Sequence, residues 1–361
     1  MKKLENRYKC AGRKWAKRAV LISMTALLSI PMAACSKFEN TEIVLTTGLS
    51  GNQLFKVGTS LCTLPEAMIY VDAYAEQYES VYGVEMWDHD FGGVTLEEYV
   101  KDNIISQLAT IKAMTLLAEQ YQVVLDKVDE EQVEKAAKEY FDSLTEAERE
   151  WMDLEVEDAI ALYRDHLLAN RVYEEITRDV NTEVSDDEAR IITVQQIFIK
   201  TTRTEGTAEV AYTEEEKQEA YTKAQEVIAQ LAEGREFLTL ASIYSQDEQI
   251  TYSFGRGEKD AAFEEAAFAL AKDQVSDIIE TDKGYYILKC TENFDRAATE
   301  QNKVTMVEKR RDTVFQQVYE ELIANTPSEF HTKLWEGVRM ESPSLTHTGV
   351  TFFSVYEDNF G

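Results

Sequence analysis

One stretch restricts the fold more than any other: Phe254 to Lys289, FGRGEKDAAFEEAAFALAKDQVSDIIETDKGYYILK. It sets a short amphipathic helix, expected over Phe263 to Leu270, before a strand that opens Gly284-Tyr285-Tyr286-Ile287. A helix with one apolar face followed closely by an apolar strand buries that face against a sheet, so this part of the chain reads as α+β. A second strand is expected over Ile192 to Lys200, and the strand beginning at Gly284 is expected to run to Glu292. Between them, Thr213 and Glu216 form a capping box for a helix from Glu214 to Ala232 that stops at Gly234. A second helix is expected over Phe237 to Ser245, and the resulting order is β-α-α-α-β. Thr201 to Tyr212 reads as a polar loop, and Ser185-Asp186-Asp187-Glu188 as the cap of a short helix leading into the first strand.

The chain before this unit is almost purely helical. Leu54 to Thr63 alternates apolar and polar and predicts one short strand. Leu64-Pro65-Glu66 then opens a helix, with Pro in its first turn. Thr95 with Glu98 and Thr145 with Glu148 are capping boxes, and helices are expected over Leu96 to Ala118, Glu130 to Leu144 and Thr145 to Val180. After Thr299 the pattern is helical again until Pro327, with Val314, Phe315, Val318 and Tyr319 among the residues on one face. Ser328 to Val338 predicts one or two further turns. In the tail 339–361, VTFFSVY reads as strand-like, either an edge strand or a partner-binding segment.

The N-terminus carries eight basic residues by Arg18, then an apolar run from Ala19 to Met32 that is short for a membrane span. Met32-Ala33-Ala34-Cys35 follows. This resembles a bacterial lipobox, cleaved before a Cys that is then lipidated; an ordinary signal peptide cut after Ala34 is the other reading. Residues 1–34 are thus expected to be a signal peptide, Cys35 a lipid anchor to the membrane, and 35–53 a polar tether. The formal net charge of −30 argues against nucleic-acid binding. Cys62 and Cys290 either pair as a disulfide or are two buried small residues. The four His residues have no zinc spacing, and no phosphate loop or G-x-S-x-G is present, so no metal or cofactor is expected.

Residues 190 to 293 resemble a parvulin-type peptidyl-prolyl isomerase domain. The resemblance is carried by Phe254, Arg256-Gly257, Phe263-Glu264, Ala266, Phe268, Leu270, Ser276, Thr281 and Gly284, in order and without a gap. The strand-then-helix opening at Leu54 to Glu66 is similar to that of PrsA- and SurA-like extracytoplasmic foldases, which bracket such a domain with a helical one. The resemblance implies a helical chaperone-like domain at 54–186 completed by 294–338, with a parvulin-like domain inserted at 187–293. It further implies a membrane-anchored foldase on the extracytoplasmic face, acting on unfolded secreted polypeptides with Xaa-Pro bonds, and it leaves a homodimer open.

Parvulin sites carry two His, a Cys or Asp beside them, and a Met and a Phe that grip the proline ring. By position, Asp247 stands where the Cys or Asp belongs, Gln196 and Tyr286 where the two His belong, Lys259 where the Met belongs, and Phe268 in the gripping place, with Phe254 and Thr281 also lining the substrate. Gln196 and Tyr286 are expected to hydrogen-bond to each other and to Asp247 as a neutral network. A chaperone of the same architecture that binds clients without isomerising them is the alternative that the missing His residues favour. A solute-binding lipoprotein would share the lipobox, but Leu96 to Val180 lacks the repeated strand-helix-strand units it needs.

Overall fold

The computed structural model describes residues 48–206, 208–341 and 349–361. The expected signal peptide and lipidated Cys35 lie outside the described residues, as does most of the tether. The chain divides into two compact units. One comprises the chain up to Asp179 together with Asp312–Gly361; the other is Val180–Arg311. Among the described residues no helix is long and apolar enough to cross a membrane.

The first unit starts with a hairpin rather than the single strand expected, β1 (Gln53–Val57) and β2 (Ser60–Thr63). The physical reason is Gly58, at φ +57°, which takes the left-handed conformation a tight turn needs. The third strand of this antiparallel sheet, β9 (Ser328–Phe330), comes from the far end of the chain and pairs with β1, Phe55 opposite Phe330. Ser328 to Val338 is therefore a strand followed by one short helix, Thr332–Glu336, rather than helix throughout. The sheet leads into α1 (Leu64–Tyr82), α2 (Leu96–Tyr121), α3 (Lys127–Ser143), α4 (Glu146–Met152) and α5 (Val156–Thr177). The capping boxes at Thr95 and Thr145 form as expected, and Thr63 makes another with Glu66. Asp153, at φ +49°, ends α4 and splits the single helix expected over Thr145 to Val180.

The core of this unit is aromatic. Tyr70, Tyr140 and Tyr163 are fully buried. His166 is buried beside them with its Nε2 hydrogen-bonded to the Tyr70 hydroxyl at 2.7 Å, and burial pushes its pKa down to about 3, so it is neutral. The tail segment read as strand-like is a helix, Phe352–Phe360, which fills this core. Phe352, Val355 and Tyr356 fall on one helical face and are all buried, and Thr351 with Ser354 supplies the cap. The Tyr163 hydroxyl donates to the Phe352 carbonyl at 2.9 Å. A run of large apolar residues fits either period, and the cap decides it here.

The second unit is an antiparallel sheet in the order β6-β3-β8-β7, with β3 (Ile192–Lys200) and β8 (Gly284–Glu292) at its centre, β6 (Thr251–Phe254) and β7 (Ile279–Thr281) at its edges. Because side chains alternate across a sheet, Ile197, Ile199, Tyr285 and Ile287 pack one way, against α6 (Glu214–Ala232) and α7 (Phe237–Tyr244). Ile192, Val194, Leu288 and Cys290 pack the other way, against α8 (Ala261–Ala269). Both faces are covered where the two strands cross the core, which is why Ile197-Phe198-Ile199 and Tyr285-Tyr286-Ile287-Leu288 run apolar without alternation. Gly284 is required at the start of β8: a Cβ there would lie 2.2 Å from the Ile199 carbonyl oxygen.

Two expectations for this unit are corrected. Thr201 to Tyr212 contains a hairpin, β4 (Thr202–Glu205) with β5 (Ala208–Ala211), which turns at Gly206, φ +66°. Ser185 to Glu188 forms one capped turn and no helix. The Glu188 amide donates to Ser185 Oγ and the Ala189 amide to the Ser185 carbonyl, but β3 begins at Ile192 and leaves no length for a second turn. Cys62 and Cys290 are free and buried, one in each unit, so the disulfide reading gives way to that of small core residues. Burial raises the pKa of both thiols.

Candidate functional site

The face of the sheet that meets α8 carries the candidate site. Gln196 and Phe198 alternate on β3, and opposite them on β8 stand Leu288 and Tyr286. Strand β6 lies on the other side of β3, with Tyr252 facing Val194 and Phe254 facing Ile192. After α7 the chain runs back along β3. Ser245 Oγ accepts from the Phe198 amide, and Gln246 both donates its amide to the Phe198 carbonyl and accepts from the Lys200 amide. That lateral pairing fixes Asp247 at the end of Gln196.

Asp247 is the hub. Its Oδ2 accepts from Gln196 Nε2 at 2.9 Å and from the Tyr252 hydroxyl at 2.9 Å, while Oδ1 accepts from the Gln249 amide at 3.0 Å. Gln196, only 2% exposed, also donates to the Gln249 carbonyl at 3.1 Å. Burial and then the hydrogen bond to Asp247 raise the Tyr252 pKa, so its hydroxyl keeps its proton.

Tyr286 is half-buried. Its ring stacks on Phe198 with centroids 4.4 Å apart and meets the edge of Phe263 at 5.1 Å. Burial, followed by the charges of Asp247 and of neighbouring Asp260, pushes its pKa up to about 12. It is a neutral hydroxyl at any physiological pH. Among the described residues nothing takes or gives a hydrogen bond at this hydroxyl. The expected bond between Gln196 and Tyr286 is therefore absent, because Gln196 turns toward Asp247 and Tyr252 takes the third place in the network.

The remaining expected residues divide. Lys259 lies over the site, its Nζ 4.1 Å from the Tyr252 ring centroid and 5.8 Å from that of Phe254. Phe254 is core, in contact with both Phe263 and Phe268. Phe268 lies away from the tyrosines: its ring is covered by the guanidinium groups of Arg256 at 4.4 Å and Arg190 at 5.0 Å. Phe263, on the same helix, is the phenylalanine that meets Tyr286. Thr281 closes the β7–β8 turn, donating to the Gly284 carbonyl and accepting from the Lys283 amide. Sequence reading thus missed Tyr252 and Phe263 as site residues. The available signal for Tyr252 was its spacing of two from Phe254, which puts both on one face of a strand.

No histidine occurs in Val180–Arg311, and among the described residues no cluster of His, Cys, Asp or Glu could hold a metal. Cys290 is buried with its thiol pKa raised, which disfavours the nucleophilic thiolate. What remains is an aromatic floor with neutral hydrogen-bond donors at one end. That arrangement suits binding an amide.

Residues 197–292 match the Rotamase family, described as a PPIC-type PPIase domain. The chain is similar to the foldase protein PrsA of Caldanaerobacter subterraneus subsp. tengcongensis, 24% identical over 331 residues, 85% of this chain and 94% of that one. It is 25% identical to the foldase protein PrsA of Halalkalibacterium halodurans over 284 residues, 76% of this chain and 79% of the relative. Among solved structures it resembles the PrsA peptidylprolyl isomerase of Bacillus cereus, with a TM-score of 0.35 and 20% identity, covering 73% of this chain and 90% of that one. Residues 197–292 thus form a PPIC-type PPIase domain, in a chain that is similar to PrsA foldases over most of its length.

Proposed function

We propose that the chain is an extracytoplasmic foldase, held to the membrane by a lipid at Cys35, whose parvulin-type domain isomerises Xaa-Pro bonds in unfolded secreted polypeptides. The helical unit, 54–186 with 294–338, would hold the client, and the domain at 187–293 would act on it. The observation that carries the catalytic part is the free, neutral hydroxyl of Tyr286 on a floor formed by Phe198 and Phe263.

Prolyl rotation needs no covalent chemistry. The barrier of about 18–20 kcal/mol comes from amide resonance, and a site lowers it by binding the twisted amide better than the planar one. As the bond twists, electron density returns to the prolyl nitrogen, and a hydroxyl donor stabilises it there. Burial of the ring on Phe198, Phe263 and Tyr286 removes competing water. The Gln196–Asp247–Tyr252 network holds the edge of the floor in place.

The test is exchange between cis and trans forms of a proline peptide, read by NMR on the full chain and on Tyr286→Phe and Asp247→Ala. Wild type should accelerate exchange. Tyr286→Phe should lose about threefold to tenfold, the worth of one neutral hydrogen bond, with peptide affinity unchanged. No acceleration by wild type, with client aggregation still suppressed, would refute the isomerase reading. It would leave the second one, a binding domain without turnover. A specific observation favours that reading too: the Lys259 ammonium occupies the ring face of Tyr252.

A further inference from the structure

Exposed apolar side chains are concentrated in one short part of the helical unit. Val81, Tyr82, Val84, Phe91, Val94 and Tyr99 are all exposed, Tyr82 and Phe91 each at 60%. They lie at the end of α1, in the connection that follows it, and in the first turn of α2. That connection is ordered around buried Trp87, whose Nε1 donates to Glu79 Oε1 at 2.7 Å and whose carbonyl accepts from the Glu97 amide. Further out, the Leu96 amide donates to the His89 carbonyl and the Phe91 amide to the Val94 carbonyl, so the tip is a closed turn. Gly92 and Gly93, at φ +89° and +108°, make that turn, and Asp90 Oδ1 accepts from the Gly93 amide at 2.6 Å. The fold therefore holds Phe91 outward, its ring against His89 at 4.7 Å.

The charge around these residues is of one sign. Glu85, Asp88, Asp90, Glu98 and Asp102 are exposed within the same segment. The one lysine in it, Lys101, is buried and spends its ammonium on the Trp335 and Val338 carbonyls. Arg339 pairs with Glu97. An apolar surface rimmed by carboxylates repels anionic lipid, nucleic acid and a second copy of this acidic chain, and attracts cations.

We propose that this surface, Val81 to Tyr99, is a docking site for extended polypeptide segments that combine apolar with basic side chains. The aromatic and aliphatic side chains take the apolar residues of the segment, and the carboxylate rim takes its lysines and arginines. The proposal rests on the foldase reading and deepens it: it gives the client contact of the helical unit a place, outside the prolyl site, and a stated preference among clients.

The test uses a fluorescently labelled unstructured peptide of Phe, Leu and Lys, and its counterpart with Glu for every Lys, titrated with the full chain. The Lys peptide should bind at least about tenfold more tightly, and added salt should weaken it. The exposed double variant Tyr82→Ser with Phe91→Ser should keep the wild-type unfolding midpoint and lose about tenfold in affinity. Equal affinity for the two peptides or unchanged affinity in the double variant would overturn the proposal. Prolyl exchange measured on the same samples separates the two readings. Intact exchange without Lys-peptide binding sinks this proposal alone; absent exchange with selective binding sinks only the isomerase reading.

Discussion

Asp72→Asn should remove most of a pH dependence built into the helical unit. Asp72 sits on α1, 5% exposed, and its Oδ2 accepts from the Tyr140 hydroxyl at 3.3 Å. Burial, then the charges of Glu148 on α4 and of Glu76 and Glu79 on its own helix, raise its pKa to about 7. In the unfolded chain it returns to the ordinary value near 3.9. The folded state therefore binds the proton more tightly, and stability falls as pH rises between the two values. The full span, about three pKa units at 1.36 kcal/mol each, is about 4 kcal/mol, of which about 3 kcal/mol falls between pH 5 and 8.5. Asparagine keeps the shape and an acceptor for Tyr140 but cannot ionise. Urea unfolding of wild type and variant should then show a variant whose advantage grows by about 3 kcal/mol from pH 5 to 8.5. A difference between the two proteins that stays flat across that range would refute the reasoning, since it would mean that water reaches Asp72 in the folded state.

Two further perturbations bear on the candidate site. Gly284→Ala drives a Cβ to within 2.2 Å of the Ile199 carbonyl oxygen and 2.9 Å of Phe198 Cε2; it should cost about 1–3 kcal/mol or more in the second unit's unfolding transition and weaken peptide binding by displacing Phe198 and Tyr286. Lys259→Met removes a cation from the ring face of Tyr252 and should tighten binding of a neutral proline peptide in calorimetry, by about threefold if the cation–π contact it replaces is worth the 0.5–1 kcal/mol usual at exposed sites; weaker binding would mean that Lys259 itself contacts the peptide.

The scaffold was legible because its signals are local. Strands β3 and β8 and helix α6 were expected with the residues they occupy, since each is bounded by a Gly, a capping box or a change of period. The site was less so. Phe263 and Phe268 are five residues apart on one helix, about 140° around its axis, so only one can face Tyr286. Sequence gives no reason to choose between them; the guanidinium groups that cover Phe268 come from Arg190, before β3, and from Arg256. Tyr252 was missed because β6 is a four-residue edge strand, too short for alternation to stand out. The tail was misread because an apolar segment of seven residues fits two periods, and the deciding partners, Tyr70, Tyr140 and Tyr163, are nearly 200 residues away or more.

In the proposed reading Gln196 and Tyr286 stand where the parvulin resemblance implies histidines, and that changes the kind of site this is. A pair of imidazoles titrates near neutrality and can hold a charge. Here the first position is an amide, which never ionises, and the second is a phenol held near 12. The third partner, Tyr252, has its pKa raised as well. The hydroxyls and the amide thus keep one protonation state across the whole physiological range, and the orientation of Gln196 and Tyr252 is fixed by a single carboxylate that accepts from both at 2.9 Å. Whatever acceleration such a site achieves comes from its shape and from one free donor, so it does not depend on a group caught in the right ionic form. In the proposed mechanism, peptide binding and turnover rest on different atoms: binding on Phe198, Phe263 and the ring of Tyr286, turnover on the Tyr286 oxygen alone. That separation lets a single-atom change, Tyr286→Phe, distinguish an isomerase from a binder.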